Sequence, residues 1–124
     1  MLITPKAVAL RHNLLELHRA IVNFERRDYE RRAGEVGAAA FLRVLIEDQA
    51  YAWLRPLSIL IVQLDEDTER PAAEIEAALF DETRALLKID PAGTPFESRY
   101  AWLIEQSPEV AYAHGGVMQA LKQK

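Results

Sequence analysis

Residues 5–24 read PKAVALRHNLLELHRAIVNF, and the spacing of their apolar side chains decides the fold class. Ala7, Leu10, Leu14, Leu17, Ile21 and Phe24 recur at intervals of three and four, the period of one face of an α-helix. Val8, Leu15 and Val22 widen the stripe, while Glu16, Arg19, Asn23, Arg27 and Glu30 fall on the opposite side. Thr4 is a good cap and Pro5 suits the first helical position, because proline has no N–H to leave unpaired there. Gly34 and Gly37 mark the stop. The pattern predicts a first helix from Pro5 to Arg32.

The same period continues outward. A second helix is expected over Val36 to Glu66, kinked or broken at Pro56, which removes a hydrogen bond and crowds the preceding turn. Its apolar residues form two faces: Phe41, Val44, Leu45, Ala52, Ile59 and Val62 on one, Leu42, Ile46, Trp53, Leu60 and Leu64 on the other. A helix apolar on both sides is either central or carries a second interface. A third helix should begin near Pro71 and end near Ile89, with the stripe Ala72, Ile75, Leu79, Leu86 and Ile89. Thr94-Pro95-Phe96-Glu97 is a start signal for a fourth, pairing a threonine cap with a glutamate three residues on. Phe96, Tyr100, Leu103, Val110, His114, Val117 and Leu121 keep one phase across Ser107-Pro108, so a kinked helix should run to the C-terminus, weakened by Gly115-Gly116. Helices with short connections imply an all-α, up-and-down four-helix bundle, its second and fourth helices kinked by proline, in one domain over residues 1–124.

Composition narrows the function. The chain has 124 residues, 50% of them hydrophobic and 27% charged, so it can bury a core. A formal charge of −4 argues against nucleic acid as a partner, which selects for basic surfaces. Without cysteine there is neither a disulfide nor a thiolate metal site. The most apolar stretch, Leu57 to Leu64, is far shorter than the roughly 20 residues of a membrane span. No targeting segment is visible, and a cytoplasmic location is expected.

Function could hide where ionisable residues interrupt apolar faces, because a buried charge is costly unless paired or liganded. His18 lies among Leu14, Leu17 and Ile21, with Glu25 seven residues along the same line. Glu82 falls among Ile75, Ala78, Leu79, Leu86 and Ile89, and His114 among Val110, Val117, Met118 and Leu121. His18, Glu25, Glu82 and His114 are therefore the candidate ligand-binding residues. With Asp48, on the phase of Phe41 and Leu45, the set His18, Asp48, Glu82 and His114 could hold a divalent transition metal able to activate water. The competing explanation is structural: His18 bonded to Glu82 or a tyrosine, and Glu82 paired with Arg11 or Arg55. Helical di-iron sites use Glu-x-x-His, whereas the residues three before His12, His18 and His114 are Ala9, Leu15 and Ala111.

Other patterns carry less. His12 and Glu16 form an i, i+4 pair on the polar side of the first helix. Glu25-Arg-Arg-Asp-Tyr-Glu-Arg-Arg32 could meet phosphate or an acidic partner, but a salt-bridged solvated face explains it as well. No phosphate-cradling loop, nucleophile elbow or cysteine nucleophile is present, so an enzyme is the less favoured class. Trp53-Leu-Arg-Pro-Leu-Ser58, together with Leu17-His18, Glu25-Arg26, Tyr29-Glu30, Gly34 and Asp65-Glu66, resembles a group of small, uncharacterised bacterial all-helical proteins. The resemblance spans Leu14 to Glu66, and it implies a bacterial cytosolic protein without contributing site residues. Trp53, Leu60 and Leu64 are either packing anchors or an interface. The resulting expectation is a non-enzymatic interaction or regulatory module without a cofactor, homodimeric through the second helix. The alternative is a metal- or small-ligand-binding bundle, hydrolytic if the metal activates water.

Overall fold

A computed structural model describes the backbone of residues 4–66 and 70–122 and the side chains of residues 4–62 and 70–122. Every regular element among the described residues is a helix, with no strand among them. The elements are α1 (Pro5–Ala33), α2 (Ala38–Glu47), a 3-10 segment (Gln49–Leu54), α3 (Arg55–Glu66), α4 (Ala72–Leu86), α5 (Pro95–Gln106) and α6 (Pro108–Lys122).

The first helix forms where its periodicity places it. The Ala7 N–H donates to Thr4 Oγ1 at 3.1 Å, and the Thr4 hydroxyl in turn donates to the Glu76 carboxylate, tying the start of α1 to α4. At the other end Gly34 takes φ of 91°, a left-handed conformation that costs a glycine least. Arg31 and Arg32 in the last turn complement the helix dipole.

The expected second helix is instead three pieces. Its first break is made by Asp48 rather than Pro56. The Asp48 N–H closes α2 on the Val44 carbonyl, while its Oδ1 accepts from the Ala50 N–H at 2.9 Å and opens the 3-10 segment. Arg55 Nη2 then covers the Ile46 carbonyl at 3.3 Å, satisfying one orphaned acceptor at the end of α2. Asp48 is itself extended, and each 3-10 residue after it turns about 120° rather than 100°, so the phase of α2 does not carry through into α3. The two apolar faces accordingly change places across the break: Phe41 faces the core in α2, whereas in α3 Leu57, Leu60 and Ile61 do and Ile59 and Val62 face outward. The expected fourth helix is likewise two. The Ser107 N–H ends α5 on Leu103, its Oγ accepts from the Val110 N–H at 3.2 Å, and Pro108 begins α6. The start of α5 is as expected, a reciprocal capping box with the Glu97 N–H on Thr94 Oγ1 at 3.1 Å and the Thr94 N–H on Glu97 Oε1 at 3.0 Å.

The core is built from Leu10, Leu14, Leu17 and Ile21 of α1 against Leu57 and Leu60, Ile75 and Leu79, Tyr100 and Leu103, and Val110 and Val117. Asn13 lies against Gly116, and Arg27 meets Glu109 at 3.6 Å, so α1 and α6 run antiparallel. A Cβ at Gly116 would sit 2.6 Å from Asn13 Oδ1. That glycine is a point of close helix approach as well as a weak helix former. Phe41 anchors α2 from the side, its ring centroid 5.5 Å from Tyr29 and 5.6 Å from Tyr51.

Candidate functional site

The polar residues singled out on apolar faces do not meet. Each has its own solution. Glu25 continues the inward line of Leu14, Leu17 and Ile21 and is only 2% exposed. Arg99 from α5 reaches it with Nη2 at 2.7 Å and 3.1 Å from its two carboxylate oxygens and Nε at 3.2 Å. The guanidinium lies 4.1 Å from the ring centroid of Trp102 and 6.0 Å from that of Trp53, so aromatic faces screen the pair on its open side. Burial still pushes the Glu25 carboxyl above its ordinary range, more strongly than Arg99 draws it down. This is a structural clamp between α1, α5 and the 3-10 segment.

His18 is half-buried, with Nε2 3.0 Å from Ser58 Oγ across to α3. Burial lowers its basicity, keeping the ring neutral. His114 is served by α5: Tyr100, fully buried and with its phenol pushed well up by burial, stands 2.6 Å from Nδ1. The phenol and Nδ1 share one hydrogen bond, whose direction follows the imidazole tautomer. Burial lowers the basicity of His114 as well. Both histidines are thereby engaged in hydrogen bonds inside the fold.

Glu82 corrects the reading of α4. It is exposed, because the buried face is Ile75, Leu79, Phe80 and Thr83, continuing to Leu87. Taking Leu86 and Ile89 as the stripe rotates the expected face by roughly 90° and carries Glu82 inward with it. Helix α4 stops at Leu86, which packs at the edge of the core, and Ile89 lies exposed beyond the helix, so Ile89 does not mark the core side. Asp48 is exposed too, occupied by its capping role rather than pointing into the core. Among the described residues no group of three or more histidine, aspartate and glutamate side chains could hold a metal ion, so His18, Asp48, Glu82 and His114 form no such set.

Apart from the buried Glu25 and the Nε of Arg26, the arginine-rich run is a salt-bridged face open to solvent. Arg31 and Arg32 share Asp28 at 3.0 Å and 3.4 Å, and Arg27 bridges to Glu109. A groove of about 680 Å³ between α1 and α6 is lined by His12, Asn13, Asn23 and Tyr112, but also by Glu16 and Arg19, which neutralise each other at 3.8 Å. Glu109 lines it too and is met by Arg27 at 3.6 Å, so each acid of the groove already has a basic partner within the fold.

Among the described residues the buried Arg26 Nε has no hydrogen-bond partner, and the other groups left open are apolar. Leu42 and Ile46 on α2 are 55% and 70% exposed, and with Ala39 they make a stripe at spacings of three and four opposite Phe41. On α3, Ile59 and Val62 are 52% and 48% exposed. Of the three expected interface residues, Leu60 is buried in the core, and Trp53 is half-buried against Phe96 with ring centroids 6.0 Å apart. Both are packing anchors, for the rotation at the 3-10 segment turns them inward. The Leu64 side chain lies outside the described residues. The signal for Leu42 and Ile46 is present in the sequence as the second apolar face of α2; the break that leaves them outside is not. The partners Arg99, Ser58 and Tyr100 are not among the expected site residues either. A buried acid asks for a cation on an inward phase, and Arg99, three residues after Phe96, has one.

Among the described residues no helix is long and apolar enough to cross a membrane. No protein-family model matches the chain, and no curated protein or solved structure matches it either.

Proposed function

We propose that the chain is a non-enzymatic interaction module of the bacterial cytoplasm, and that its contact surface is the outward stripe of α2. The observation that carries this is the exposure of Leu42 and Ile46 on a helix held to the rest of the fold through Phe41 and its neighbours on one side only. A ten-residue helix is marginal in water by itself, so its stability comes from packing. Covering two half-exposed aliphatic side chains would contribute about 2 kcal/mol in all to binding a partner. The internal pairing of His18, Glu25 and His114 supports a structural role for the buried polar groups. We also read the fold as an up-and-down bundle, supported by the antiparallel α1–α6 pair, with its second and fourth members interrupted at Asp48 and Ser107.

The test is site-resolved. A photoreactive side chain placed at Ile46 should give a discrete adduct in cells, while one at Tyr112, 87% exposed on α6, should not. In dilute solution Ile46→Asp should leave the melting temperature within about 2 °C of the wild type. No adduct at position 46, or a fall of more than about 5 °C, overturns the reading by showing that the stripe belongs to the fold.

A further inference from the structure

We propose that the partner of the α2 stripe is the α2 stripe of a second copy of this chain, packed antiparallel; this rests on the stripe being a contact surface at all. Helix α2 has two charged residues, Arg43 and Glu47, both exposed and both on the same flank of the apolar stripe. Neither has an ion pair among the described residues. Their order suits the isolated helix poorly. The acid is the last residue of α2, where the helix dipole disfavours negative charge, and no base lies in that last turn. An arginine four residues before a glutamate is also the weaker intrahelical order.

A two-fold axis at the level of Val44 resolves all of this. It sets Leu42 of one copy against Ile46 of the other, and the reverse. At about 1.5 Å per residue, Arg43 of one copy then stands within roughly 3 Å, along the helix axis, of Glu47 of the other, twice by symmetry. The negative end of each helix lies beside the positive end of its neighbour. Parallel pairing about a two-fold along the helices would instead put the two charged flanks on opposite sides of the seam, leaving Arg43 and Glu47 of each copy without a counter-charge across it. The α2 surface is thus neutral in sum and self-complementary in one orientation, where a strongly charged foreign partner would find nothing to match. The stripe is small beside the roughly 1,600 Å² of a standard interface, so the dimer is weak and dependent on concentration.

Sedimentation of the purified full chain from about 10 µM to about 1 mM tests this, with circular dichroism confirming that each variant is folded. The weight-average mass should rise from 14.1 kDa toward twice that value. R43E and E47R should each weaken association about fivefold, and the double variant R43E/E47R should restore it to within about twofold of the wild type. A constant mass of 14.1 kDa, or a double variant no better than the single ones, overturns the proposal. If the protein stays monomeric while the photoreactive group at Ile46 still captures another protein in cells, only the choice of partner fails. If no adduct forms at all, the contact surface fails with it.

Discussion

Glu25 and Ile46 break the usual partition of side chains in opposite directions. One is a carboxylate 2% exposed on the inward face of α1, the other an isoleucine 70% exposed on the outward face of α2. At Glu25 the exception is settled within the chain, by three close contacts from Arg99 and two tryptophan rings around the guanidinium. At Ile46 nothing among the described residues settles it. A misplaced group that finds its partner internally reports on how the fold is held. One that does not is where an external partner should be sought.

The largest effect should come from undoing the settled exception. Arg99→Ala leaves a buried carboxylate without its cation and should cost about 3 kcal/mol in urea unfolding. Glu25→Leu should cost less than about 1 kcal/mol, because the Arg99 side chain, 32% exposed, can turn to water. Equal losses from the two changes would show that Glu25 is not the costly member.

The pH dependence sharpens the same point. Burial places the folded-state pKa of Glu25 above its unfolded value of 4.5, so its neutral form is favoured by folding. That contribution is fully present below pH 4.5 and is lost as pH rises through the folded pKa. The deficit of Arg99→Ala relative to wild type should therefore shrink from pH 8 toward pH 5, as read by melting temperature. His18 and His114 act the other way. Their folded pKa values lie below 6.5, so the stability they add is present above pH 6.5 and lost as pH falls through those lower values. Replacing either histidine with glutamine should flatten the acid limb of the wild-type profile.

Smaller effects separate capping from contact. Thr94→Ala removes half of the reciprocal cap of α5 and should cost about 1 kcal/mol. Ile46→Asp should cost least of all, within about 0.5 kcal/mol for the dilute protein, since its side chain is 70% exposed. A loss of about 2 kcal/mol there would erase the contrast with Glu25 and return the α2 stripe to the core.

Helices are legible where one face is buried and the ends carry chemistry of their own. Thr4, Gly34 and the Thr94–Glu97 pair act through neighbours three or four residues away, and local sequence contains all of that information. The interruption at Ser107-Pro108 is visible as a proline, though its force as a full stop and restart depends on the Ser107 cap. The expected face of α4 is off by roughly a quarter turn because its stripe omits Phe80 and Leu87 and includes Ile89, which lies beyond the helix. That rotation sends Glu82 to solvent, and the capping role of Asp48 and the separate partners of His18 and His114 undo the rest of the expected constellation.

By itself the sequence determined that this chain is helical, where its first helix begins and ends, and that Glu25 and His18 point toward the core, since all of these follow from periodicity and nearest-neighbour capping. Only the tertiary structure decided the partners: Arg99 for Glu25, Ser58 for His18 and Tyr100 for His114. It also decided which side of α2 and α3 is left bare. The physical reason is that phase is a local property, whereas contact depends on how separate helices are rotated against each other. One extended residue, Asp48, and the 3-10 segment after it are enough to exchange which apolar face is buried between α2 and α3.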